Sequence, residues 1–237
     1  MHIARRIAHR ILLAGAVFAS AASLAQAPAQ EAGTVERVSG TVSVSAAGVA
    51  RVARPGERLL VGEILTTEPG AEALVRLRDQ STMALRANTQ VVVAEMRFEE
   101  KSDDSMVASL LKGTIRAVTG LLGRTRPQGV LFRTPTATVG IRGTDLEIAI
   151  IPGGERDRAG VYNYVHEGVT NIQIGSGENL DVAAEQTGFA PDNPQPGEPA
   201  LQLLRERPAF LRGGGFDAMM LQVRPPPAQQ IFMPRMR

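Results

Sequence analysis

This 237-residue sequence predicts an all-β fold. Three observations carry that reading. Short segments rich in Val, Ile and Thr recur between residues 33 and 190, and these residue types favour strands. Turn-forming groups, among them Ser39-Gly40, Pro55-Gly56, Pro69-Gly70 and Asp79-Gln80, separate the segments every 8–12 residues or so. Apolar and polar side chains alternate through 72–77 and 82–86, the period of a half-buried strand. The expected arrangement is a single domain of short antiparallel strands forming a sandwich or roll. A β-helix-like stacking is the alternative.

Taken in order, residues 1–25 read as a signal peptide. Arg5, Arg6 and Arg10 precede an apolar stretch over 11–24, and the small residues around Ala25 suit cleavage there. The apolar stretch of about 14 residues falls short of the ~20 needed to span a bilayer. The mature chain is therefore expected to lack a transmembrane segment and to reside in the periplasm of a Gram-negative bacterium. An Ala/Pro/Gln linker leads into strands expected over 35–38, 41–45, 63–67, 72–77, 82–86 and 90–94. Residues 99–104 form a charged loop whose acids, Glu99, Glu100, Asp103 and Asp104, lack the order of a calcium loop.

Three segments echo one another: Gly40, Gly113 and Gly168 each precede alternating β-branched residues. They suggest related hairpins with glycine at the entry turn. The stretch 134–150 organises the rest. Val139 and Ile141 share one alternation, and Leu146, Ile148 and Ile150 share another, with Arg142-Gly143-Thr144 between them. Gly143 can take the positive φ of a sharp corner. Arg142 has five donors in a fixed fork and is expected to brace that corner rather than meet a ligand. A polar loop over 152–160 should join 146–151 and 161–165 as a hairpin, and 179–184 looks like the last strand. Beyond 190 the composition shifts to Pro and Gly. Residues 200–207 suggest a short helix ended by Pro208, and 191–237 as a whole read as a low-order tail dispensable for folding.

Charge and composition exclude several function classes. The termini hold much of the positive charge, leaving residues 26–199 with 17 basic and 22 acidic side chains. Such an acidic body argues against a nucleic-acid-binding fold, which would need a basic face. Without cysteine there is no disulfide and no thiolate chemistry. His166 is the sole histidine after the signal peptide, and no Gly-x-Ser-x-Gly elbow occurs. No catalytic residue, metal site or cofactor is expected.

With these motifs in hand, the sequence over roughly 33–190 resembles the FecR-type domain family. Gly56, Gly62 and Thr66 match its opening pattern, and Asp79 matches its central turn, with Gln80 where the family usually has glycine. Gly113 matches its returning strand. Thr134, Pro135, Val139, Arg142, Gly143, Thr144 and Glu147 match its closing motif, and Gly168 the strand pair that follows. The family's eponymous regulators carry a cytoplasmic sigma-factor-holding domain and a membrane helix, whereas here a signal peptide precedes the β domain. The resemblance implies an exported, non-catalytic module that binds another envelope protein or a cell-wall component, with a place in envelope signalling. One alternative is a carbohydrate-binding envelope protein using Tyr162 and Tyr164 as an aromatic platform. The other is a purely structural envelope protein.

Overall fold

A computed structural model describes residues 30–154 and 156–212. The expected signal peptide and residues 213–237 lie outside them. The described chain is a sandwich or roll of fifteen strands, as expected, but three strands are long rather than short. β9 (Ser105–Val118), β11 (Ala137–Ile151) and β12 (Gly160–Ile174) run for 14, 15 and 15 residues.

Each long strand changes partners part-way. Residues 105–112 of β9 pair with β8 (Gln90–Arg97), and part of that half pairs in parallel with β10 (Val130–Arg133). Residues 113–118 pair instead with β11 and with β7 (Thr82–Leu85). In β11, residues 138–140 pair with β10 and 145–150 with β9. In β12, residues 160–164 pair with β14 (Thr187–Pro191) and 169–173 with β13 (Asn179–Ala183). The breaks fall at Gly113, Gly143 and Gly168, all at positive φ. Gly40, also at positive φ, turns the chain from β1 (Glu31–Ser39) into β2 (Val42–Ala46). The echoed glycines thus mark places where the chain passes between layers; only Gly40 is an entry turn.

Two layers result, sharing the halves of the long strands. The first runs β3 (Val49–Val52), β2, β5 (Ile64–Thr67), β8, β9, β10, β11, β12, β13. The second runs β4 (Arg58–Leu60), β1, β6 (Glu72–Leu77), β7, β9, β11, β12, β14, β15 (Gln202–Leu204). Side chains from both, such as Val44, Leu65, Leu85, Phe132, Ile148 and Val165, make one fully buried core. No helix of the described residues is long and apolar enough to cross a membrane.

The C-terminal part differs most from expectation. The strand at 179–183 is not the last, since β14 and β15 follow it. Residues 200–207 form no helix: Gln202, Leu203 and Leu204 pair with Phe189, Gly188 and Thr187. Pairing to an open sheet edge overrides a weak local helix preference. A 3-10 turn at Ala209–Leu211 then sets Leu211 at 0% exposure. The boundary expected at 191 therefore falls at the end of a strand, and after a mostly exposed connection residues 202–211 rejoin the packed structure.

Candidate functional site

Arg142, Gly143 and Thr144 form a bulge in β11, not a corner between separate strands. The register slips between Arg142↔Val169 and Asp145↔Glu167, so the bulged residues oppose Gly168. Gly143 has φ 60°, and a Cβ there would make only an ordinary contact, 3.9 Å from the Gly123 carbonyl oxygen. Gly168 is more constrained: at φ 85°, a Cβ there would stand 2.3 Å from the Gly143 carbonyl oxygen. The two glycines let the hairpin bend as it passes between layers.

The bracing expected of Arg142 is done by other residues. The Arg142 side chain is exposed and makes no hydrogen bond or ion pair among the described residues. Thr119 holds the bulge instead: its hydroxyl donates to the Thr144 carbonyl and accepts from the Thr144 amide, both at 3.0 Å. Arg116 grips Asp145 with both prongs, Nε to Oδ1 at 2.9 Å and Nη2 to Oδ2 at 2.8 Å. A short backbone stub needs a partner already rooted in the facing strand, which a side chain pointing to solvent cannot be. Arg142→Ala should therefore change stability by less than about 0.5 kcal/mol. Arg116→Ala should cost about 3 kcal/mol, because Asp145 is left desolvated without its counter-ion. Urea unfolding of both variants checks the contrast.

The remaining motif residues shape turns. Asp79 is fully buried and accepts from the Ser81 amide at 3.1 Å and hydroxyl at 2.7 Å, closing the turn in which Gln80 takes φ 68°. Ser81 in turn accepts from the Gly120 amide at 2.8 Å, which joins this turn to the Thr119–Thr144 bulge. Thr134 closes the turn around Pro135 through bonds to both backbone groups of Ala137. Val139 is core. Gly56 and Gly62 lie in open turns at positive φ. Thr66 is only half-buried; its neighbour Thr67 is the buried one, bonding to the loop that ends in Thr89. Gly113 sits against Thr89, where a Cβ would lie 2.3 Å from the hydroxyl. The structure thus brings Asp79, Arg142, Gly143, Thr144 and Gly168 together around the bulge and the adjoining turn, while Gly40, Gly56, Gly62, Thr66, Gly113, Thr134 and Pro135 stand apart from it.

Outside the second layer lies a smaller apolar face. Ala149, Tyr162, Tyr164 and Phe189 point away from the main core and pack with Leu204, Phe210 and Leu211. Strand alternation explains this: Ile148 and Val165 face inward, and their neighbours outward. Tyr162 stacks on Phe189 with centroids 4.3 Å apart and meets the Phe210 ring edge-on at 5.0 Å. Residues 201–212 form a strap over this face. Both tyrosines are consequently buried, at 4% and 3% exposure, so the exposed aromatic platform considered for carbohydrate is absent.

Glu147 fixes the strap. This carboxylate is 1% exposed and sits on the same outward face. Its Oε1 accepts from Arg207 Nη2 at 3.0 Å and lies 2.7 Å from His166 Nε2. Its Oε2 faces Arg86 Nη2 at 3.7 Å. Arg86 also donates to the Phe210 carbonyl at 3.0 Å, and the Arg207 guanidinium lies 3.9 Å above the Tyr164 ring centre. Tyr164 donates to Glu185 at 2.6 Å; burial first, then this bond, raises its phenol above the usual range. His166 thus serves a structural ion cluster. Sequence reasoning singled out Glu147 only through the family motif; a lone acid within an otherwise apolar run was the available signal. Arg86 and Arg207 gave none.

A second feature is the edge strand β3, which pairs only with β2. The Ala53 amide bonds the Val42 carbonyl at 2.9 Å, and with the β2–β3 register this leaves the amides and carbonyls of Ala50 and Val52 directed outward. Val49 and Val52 are 75% and 64% exposed. Arg51 anchors the strand, bonding Glu57 at 2.7 Å and Glu63 at 2.6 Å. Burial pushes the Glu63 carboxyl up, but the bonds from Arg51 and the Leu60 amide outweigh it and hold it below the usual range.

No curated protein matches the chain. Two solved structures, both of a protein from Parabacteroides distasonis ATCC 8503 described provisionally as an anti-sigma factor, are similar to it at 15% identity. One covers 60% of this chain and 59% of its own length with a TM-score of 0.46; the other covers 66% and 64% with 0.47. The chain thus spans about six tenths of each of those structures. Residues 63–169, from the Arg51-bound Glu63 through the bulge to Val169 beside Gly168, match the family FecR protein.

Proposed function

We propose that the protein is an exported, non-catalytic module of the cell envelope that binds another envelope protein by accepting a strand on β3. The open, apolar edge of β3 carries this reading. Proteins usually blunt such edges with charge, proline or cover. The other edges follow that rule: β13 carries Asn179 and Asp181, and β4 and β15 are each three residues long. β3 instead offers two unpaired amides, two unpaired carbonyls and a valine on each face, which suits strand addition with side-chain pockets. The FecR match supports a role in envelope signalling, and the signal-like N-terminus supports a periplasmic site of action.

Two measurements test this. N-terminal sequencing of protein from the periplasmic fraction should begin at Gln26; a chain starting at Met1 in the cytosol would end the envelope reading. A photoreactive phenylalanine analogue at Val52 should give a discrete adduct in intact cells, absent when the analogue replaces exposed Glu178. Ala50→Pro removes an outward amide without breaking the β2–β3 ladder, and it should abolish the adduct. An adduct indifferent to that proline would rule out strand addition.

A further inference from the structure

The strap over the outer face is held in a manner suited to exchange. Only Gln202, Leu203 and Leu204 pair with the sheet. Beyond them, the strap's backbone bonds from Leu211 and Arg212 stay within its own turn. What binds residues 205–212 to the body is chiefly side-chain recognition. The Arg207 guanidinium fits between the Tyr164 ring, 3.9 Å away, and the Glu147 carboxylate, 3.0 Å away. Phe210 and Leu211 enter the apolar cluster of Ala149, Tyr162 and Phe189, and Arg86 receives the Phe210 carbonyl. An aromatic face beside a buried carboxylate is chemistry that selects a guanidinium. The carboxylate is not saturated, since Glu147 Oε2 accepts no hydrogen bond among the described residues. A Pro-rich run, with Pro194, Pro196 and Pro199, tethers the strap to β14.

We propose that this groove is a recognition site for an extended peptide of a partner protein, bearing an arginine and an aromatic residue three positions later, and that residues 205–212 occupy it in cis as a pseudo-ligand. The groove is distinct from the β3 edge, and its use does not depend on strand addition there. A tethered occupant lowers the apparent affinity for a free peptide by the fraction of time the groove is open. The partner segment therefore gains access when the strap is displaced.

The chain supplies its own reporter. It has two tyrosines and no tryptophan, and both tyrosines line the groove. A synthetic peptide of residues 203–212, which contains no tyrosine, is titrated into the full chain while tyrosine emission is followed. The strap-weakened double variant Arg207→Ala, Phe210→Ala should bind it saturably, at least about tenfold more tightly than wild type. The same peptide carrying Arg207→Ala should bind the variant at least about tenfold more weakly. Equal binding of the two peptides would reduce the groove to a non-selective apolar surface and overturn the proposal, as would no saturable change. Circular dichroism reports whether the double variant folds. If it does not, wild type titrated to higher peptide concentration decides: arginine-dependent saturation supports the proposal, and its absence overturns it.

Discussion

Glu147→Gln is expected to lower stability by about 3 kcal/mol, near the lower end for breaking a buried ion pair. Glutamine keeps the shape and one acceptor, so the change isolates the charge. The loss arises because Arg86 and Arg207, with side chains 24% and 25% exposed, converge on a carboxylate that is 1% exposed. Neutralising it leaves the Arg86 and Arg207 guanidinium groups without the carboxylate they share. Their partial exposure keeps the cost from reaching the upper range. Urea unfolding should show a lower midpoint with an unchanged slope, since the folded surface remains the same. A shift below about 1 kcal/mol would mean that solvent screens the cluster and that the strap is held by apolar contacts alone. The double-mutant cycle with Arg207→Met then measures the direct pair, and a coupling near zero would remove Arg207 from the latch.

Much of the fold was legible because its signals are local. Alternation at 72–77 and 82–86 became β6 and β7, the latter ending one residue early at Leu85, and the polar loop after Ile151 became the turn of the β11–β12 hairpin. The positive φ at Gly143 followed from its place between two alternating runs. What sequence could not show was distance between segments. Whether a run such as 106–118 breaks into two strands or bends through one depends on who pairs with each half, and here β8 and β7 divide it at Gly113. Arg142 looked like the brace because it adjoins the bulge in sequence, yet Thr119 and Arg116 reach it from a strand pair some 25 to 29 positions away. The strap was misjudged for a related reason. The proline and glycine content of residues 191–237 describes the chain's own preferences and says nothing of the aromatic face waiting on β12 and β14.

That face makes the strap a part of the domain, and its removal should be the other large effect. A chain ending at Pro199 loses Leu204, Phe210 and fully buried Leu211, and it exposes Tyr162, Tyr164 and Phe189. At about 1.5–3 kcal/mol for each large apolar side chain taken out of water, this exceeds about 4 kcal/mol. The Arg207 contact with Glu147 is lost as well. For a domain of this size each kcal/mol moves the melting temperature by about 2–4 °C. Thermal unfolding of three chains, the full one, one ending at Arg212 and one ending at Pro199, measures the strap directly. The chain ending at Arg212 should melt within about 2 °C of full length, and the one ending at Pro199 at least about 8 °C lower. Equal melting temperatures for all three would contradict a strap built into the fold.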